Sequence, residues 1–227
     1  MDRKEPNLER VSPKDSVMRP SARTRSILLL VSDLRIYQDF AEWVTSSVES
    51  EDESILHVSF NGAISLASGE SPRTLEVLSI ADVRDCDNEI EMTKRTLDAL
   101  SRMEKFDKIF FDPLSPLSEM FSEDSAPAYM LKELVPFLDH RGSLGYFCLT
   151  LDSHDNVTVA QCKDSTDVCI QVAQQGESLL VQALSAKGIY TKDFFLPRVC
   201  RNWPAIEERA RLSSRFHPTM KTAVGID

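Results

Sequence analysis

The chain has 227 residues, of which 42% are hydrophobic, and its 26 Lys and Arg stand against 36 Asp and Glu for a net charge of −10. That apolar share can fill a sizeable core, which excludes wholesale disorder. The longest unbroken apolar run, Ile27 to Val31, is far below the roughly 20 residues of a membrane span, and the polar N-terminus carries no apolar signal region.

The charge is unevenly placed. Residues 1–25 hold seven basic and four acidic side chains, a net of +3, so the remainder carries −13. An acidic body repels nucleic-acid phosphates, which argues against a nucleic-acid partner. The five cysteines (Cys86, Cys148, Cys162, Cys169 and Cys200) include no close pair. An odd count without C-x-x-C spacing reads as reduced thiols in a cytoplasmic protein rather than as a disulfide or zinc framework.

Residues 1–25, punctuated by Pro6, Pro13 and Pro20 and without apolar periodicity, are expected to be a flexible basic leader. Residues 26–227 then form one domain. Ser26 to Val31 is a short apolar run of buried-strand type. Ile36, Phe40, Trp43, Val44 and Val48 recur at helical spacing. Strands are expected at 55–60 and 74–80, then a helix carrying Ile90, Thr93, Leu97, Leu100 and Met103 on one face. Lys108 to Phe111 is a fourth strand, closed by Asp112 and Pro113. Met130, Leu131, Leu134, Val135 and Leu138 mark a helix that Pro136 should weaken and Arg141-Gly142 should end.

A fifth strand is expected over 144–151. Then Val168 to Val172 and Ser178 to Ser185 read as two strands joined by the turn at 174–177. Phe194 to Val199 is a last strand, and Pro204 opens a short helix within a C-terminal tail of about 25 residues. Strand–helix alternation early and a hairpin late predict an α/β fold. It is a mostly parallel sheet sandwiched by helices, with antiparallel edge strands near the C-terminus.

In such sheets ligands sit at the carboxyl ends of the strands, which directs attention to Ser32, Asp33, Ser59, Asn61, Asp82, Asp112, Thr150 and Asp152. An apolar strand followed by Asp112 and small polar residues suits a magnesium-binding carboxylate, since a hard cation takes oxygen ligands. A turn-capping aspartate before Pro113 explains the same residues. The four histidines, His57, His140, His154 and His217, have no zinc-ligand spacing, and no Gly-x-Ser-x-Gly elbow is present. Gly142-Ser-Leu-Gly145 is better explained by a helix end than by a phosphate turn.

FDKIFFDPLSPL, Phe106 to Leu117, resembles the Walker B strand of KaiC-type and related archaeal RecA-superfamily ATPases. Residues 132–138 and 145–150 are similar to that family's next helix and strand, and Asp164 to Ile170 to the segment that leads into its edge hairpin. Ala186-Lys-Gly188 and Phe194 to Pro197 resemble its closing strands. The resemblance spans about residues 75–200. It implies a RecA-like sheet, Asp112 at the metal-binding position, and Lys187 at the position whose lysine reaches a neighbouring subunit's nucleotide.

A phosphate loop, Gly-x-x-x-x-Gly-Lys-[Ser/Thr], needs glycine so that backbone amides can close on the phosphates and lysine to meet their charge. The seven glycines all lie at or beyond position 62, and no Gly-Lys dipeptide exists. After the first strand stand Asp33, which repels polyphosphate, and Arg35, which supplies one charge but no cradle. The arginine the family places beyond Lys187 is replaced by Gly188 and Ile189.

The expectation is therefore a non-catalytic, cofactor-free regulatory or assembly module of RecA/KaiC type that binds a protein partner or itself. Asp112, Lys187 and Arg35 are its residual nucleotide-site candidates, and Asp112 its magnesium candidate. The alternative is an ATPase with an atypical or partner-completed site for ATP and magnesium. A third reading is a receiver-like signalling domain with Asp112 as phosphoacceptor, although the acidic pair of its pocket is reduced here to Asp33 and the late hairpin has no counterpart there.

Overall fold

A computed structural model describes residues 24–46, 53–60, 75–80, 86–175, 178–186 and 194–195. Eight strands and five helices are found among them. The strands are β1 (Ser26–Val31), β2 (Ile55–Ser59), β3 (Leu75–Ser79), β4 (Lys108–Phe111), β5 (Leu144–Thr150), β6 (Val168–Gln175), β7 (Ser178–Ala186) and β8 (Phe194–Phe195). The helices are α1 (Leu34–Ser46), α2 (Glu89–Arg102), α3 (Ser115–Phe121), α4 (Ala126–Arg141) and α5 (Asn156–Ser165).

One sheet runs in the order β3-β2-β4-β5-β1-β6-β7-β8. Strands β1 to β6 are parallel wherever they pair, and β7 and β8 return antiparallel. The α/β fold with an antiparallel C-terminal edge matches the sequence expectation. All six residues of β1 are buried, as a central parallel strand covered on both faces requires.

Period-2 alternation splits the core in two. Ile27, Leu29 and Val31 point to the face covered by α1, where they join Tyr37, Phe40, Val44, Phe110 and Tyr146. Leu28 and Leu30 point to the opposite face, where Phe111, Phe147, Leu131, Leu134 and Leu138 meet α2, α3, α4 and α5. Neighbouring strands β4 and β5 reinforce each face with an aromatic pair. Phe110 stacks on Tyr146 at 4.5 Å between centroids, and Phe111 on Phe147 at 4.6 Å. Such pairs add about 0.5–1.5 kcal/mol beyond area burial.

Three local features differ from expectation. The seven-residue α3, which starts at Ser115 and has Pro116 in its first turn, has too little periodicity to be seen in sequence. Helix α5 is also unanticipated, because Val157, Thr158 and Val159 are β-branched and only Thr158 and Cys162 are buried. Its signal was the N-cap: Asp155 Oδ1 accepts the Thr158 N–H at 2.6 Å. Strand β6 continues to Gln175, three residues beyond Val172, with a register irregularity between Cys169 and Ile170.

Helix α4 runs through Pro136 without a break in its assignment. It ends at Gly142, whose φ of 68° is the left-handed conformation of a C-terminal cap, with Gly142 N–H donating to Asp139 O and Ser143 N–H to Leu138 O. The expected leader through residue 23, the segment 196–199 and the helix after Pro204 lie outside the described residues. Among those described, no helix is long and apolar enough to cross a membrane.

Candidate functional site

Of the polar residues singled out above, the carboxyl ends of β2 and β4 bring Ser59 and Asp112 together. Asp112 follows β4 directly. Its own N–H donates to Val58 O at 2.9 Å, so the residue prolongs the β2–β4 ladder by one step. His57 and Ser59 are two apart on β2, so both point to the same face, and Asp112 meets them there. His57 Nε2 donates to Asp112 Oδ1 at 2.8 Å, and Ser59 Oγ and Phe60 N–H donate to Oδ2 at 2.8 and 3.0 Å.

Three donors on a carboxylate that is only 1% exposed leave it satisfied and sealed. Tyr37 closes the roof from α1, its hydroxyl donating to Phe111 O at 2.5 Å. Burial pushes the Tyr37 phenol well above its ordinary range, with Cys148 and Asp112 adding to the effect, so it remains a neutral donor.

The link from β1 to α1 consists of Ser32 and Asp33 alone. A phosphate loop spans eight residues, so this connection is too short for one. The N-terminus of α1, where a phosphate would seek backbone amides, serves its own chain instead. Asp33 Oδ1 accepts the Arg35 N–H at 2.7 Å and Asp33 O accepts the Ile36 N–H at 3.1 Å. The Arg35 side chain is exposed on the first turn. The residues present thus do not fit a magnesium nucleotide: the Arg35 and Ile36 amides are taken, the link is short, and Asp112 is engaged by three donors.

On the opposite face, beside Leu114 and Leu117, lies a second polar cluster that sequence spacing did not disclose. His154 Nδ1 is 2.6 Å from Asp124 Oδ1, and His154 Nε2 is 2.9 Å from Ser115 Oγ. Ser115 Oγ also accepts the Thr150 N–H at 2.8 Å, and Asp124 Oδ2 accepts the Asp155 N–H at 2.9 Å. The Asp155 amide, and then His154, hold the Asp124 carboxyl below its usual range. The three side chains come from the first residue of α3, the α3–α4 link and the β5–α5 link.

Of the remaining expected positions, Ser32 and Asp152 are exposed, and Thr150 takes part through its backbone. Asn61, Asp82 and Lys187 lie outside the described residues. Strand β7, which ends one residue before Lys187, is itself paired to β8 at Val181 and Gln182. The structure does not bring Arg35 to Asp112: the first is on the solvent side of α1, the second beneath it. Among the described residues, no group of three His, Cys, Asp or Glu side chains is placed to hold a metal ion.

His57 was legible in principle, as a polar residue alternating with Ser59 in an otherwise apolar strand. No comparable signal joins Ser115, Asp124 and His154, whose separations are set by loops. No protein-family model matches the chain, and no curated protein is found to match it.

Proposed function

We propose that the chain is a RecA/KaiC-like α/β module that has kept the scaffold of a nucleotide-binding domain, lost its phosphate loop, and works by binding a protein partner or a second copy of itself. The observation that carries this reading is the two-residue β1–α1 link, with the Asp33 carboxylate on the amide a phosphate would need. The mostly parallel sheet with its antiparallel C-terminal edge is the arrangement the resemblance implies. Asp112, at the metal-binding position of the resemblance, acts here as a structural acceptor for His57, Ser59 and Phe60. The same burial disfavours it as a phosphoacceptor.

Two features support assembly. Strand β3 has a strand neighbour on one side only among the described residues, and Val77 on it is 59% exposed. Lys187 follows β7, at the position whose lysine crosses a subunit boundary in the resembling family, and an acidic surface is a fitting counterpart for it.

Sedimentation of the full chain over a concentration series, for the wild type and Lys187→Glu, tests the reading. Reversal of an interface charge should weaken assembly by about 1 kcal/mol or more while the monomer stays folded. A wild type that remains monomeric at high concentration, with no protein co-purifying, overturns it.

A further inference from the structure

We propose that Ser115, His154 and Asp124 form a nucleophile–base–orienter chain that makes Ser115 reactive toward small activated esters. This goes beyond the assembly reading and does not depend on it. The hydrogen bonds set the order of the chain, with Ser118 Oγ a longer neighbour of His154 Nδ1 at 3.4 Å. The Asp124 carboxylate only accepts, so at 2.6 Å it places the imidazole proton on Nδ1 and leaves Nε2 as the acceptor. The Thr150 N–H already occupies one lone pair of Ser115 Oγ, so the hydroxyl proton is directed at His154 Nε2, 2.9 Å away. That is the order of contacts a serine nucleophile requires: hydroxyl on base, base on a carboxylate that is itself anchored, here by the Asp155 N–H.

A second observation is independent of these bonds. Among the described residues, two that are not glycine have positive φ, Ser122 at 52° and Asp152 at 65°. Each stands two positions before a member of the chain, Asp124 and His154. Ser122 is the left-handed C-cap of α3, its N–H donating to Glu119 O, and both turns lie in the links that carry Asp124 and His154.

In the reaction the Oγ–H bond of Ser115 breaks, its proton passes to His154 Nε2, and Oγ bonds to the carbonyl carbon of the ester. The ester C–O bond then breaks and the alcohol leaves with the proton from Nε2. Water, deprotonated by the same nitrogen, releases the acid and restores the serine. Asp124 touches none of the reacting atoms and is a positioning residue. Ser115 is only 7% exposed and the His154 side chain 1%, which restricts the acyl donor to a small one.

Diisopropyl fluorophosphate is a small probe for this chemistry: a Ser115 Oγ–P bond forms, the P–F bond breaks, fluoride departs and His154 takes the proton. Peptide mass mapping of the native full chain should find one adduct, on Ser115, that is absent in Ser115→Ala and after unfolding in urea. His154→Gln should slow labelling at least about 100-fold, the usual contribution of a positioned base. Asp124→Asn should slow it as well, with a circular-dichroism spectrum like that of the wild type. Failure of the native wild type to label at Ser115, or equal labelling of native and unfolded protein, overturns the proposal even if a variant does not fold. Undiminished labelling of a folded His154→Gln protein overturns it too.

Discussion

Asp112 shows how one residue's surroundings decide between a ligand-binding carboxylate and a structural one. Its sequence context, an apolar strand followed by Asp-Pro-Leu-Ser, is compatible with both. The partners that decide, His57 and Ser59, sit more than fifty positions earlier on the neighbouring strand, and no local spacing connects them to it. Parallel pairing alone brings them together, which is why Asp112 was legible as a special residue and its task was not. Removing the acceptor takes a partner from three buried donors, and a buried donor left unmet costs about 1–3 kcal/mol. Asp112→Ala should therefore lower stability by roughly 3 kcal/mol or more in urea titration, and Asp112→Asn, which keeps one acceptor oxygen, by less. A loss below about 0.5 kcal/mol for the alanine variant would mean that the carboxylate is not the hub of this cluster.

At the scale of elements, strand β5 and helix α4 make the most specific demand. A Cβ on Gly145 would lie 2.5 Å from Leu138 Cδ1 and 2.9 Å from the Phe147 ring, so the helix approaches the strand as closely as glycine allows. Gly145→Ala should cost about 1–3 kcal/mol through overpacking. Pro136, exposed within α4, works in the opposite direction. It removes one backbone hydrogen bond at a cost of about 3 kcal/mol, partly offset because proline also restricts the unfolded chain. Pro136→Ala should accordingly raise the urea midpoint, by about 1–2 kcal/mol in stability; a lower midpoint would show that the ring packs favourably.

These elements also mark how far the sequence could be read. Buried strands and helices with a full apolar stripe, such as β1 and α1, declare themselves because their periodicity is set by burial. Helix α2 lies where expected, but it buries Met92, Thr93, Thr96 and Leu100 and leaves the expected Ile90 exposed. Helices α3 and α5 do not, since one is held by its neighbours over seven residues and the other buries only two side chains. Tertiary packing supplies what local pattern lacks.

At the scale of the whole molecule, the four described cysteines are buried, and Cys148, Cys162 and Cys169 are free thiols. Burial pushes the Cys162 and Cys169 thiols up to about 12. A thiol exposed on unfolding titrates near 8.5, so above that pH the folded state holds more protons than the unfolded one, and stability falls as pH rises toward 12. Thermal melts should therefore show a Tm that declines steadily above about pH 9, less steeply in a Cys162→Ala, Cys169→Ala double variant. A slope identical in the two proteins would assign the alkaline loss to other groups.

The proposed module is an acidic, mostly parallel sheet whose β1–α1 link is too short for a phosphate loop. Calorimetric titration of the purified full chain with magnesium ATP puts this to the most direct test. The engaged Arg35 and Ile36 amides and the engaged Asp112 predict no saturable binding tighter than about 1 mM, near −4 kcal/mol. Micromolar binding at unit stoichiometry would contradict the account.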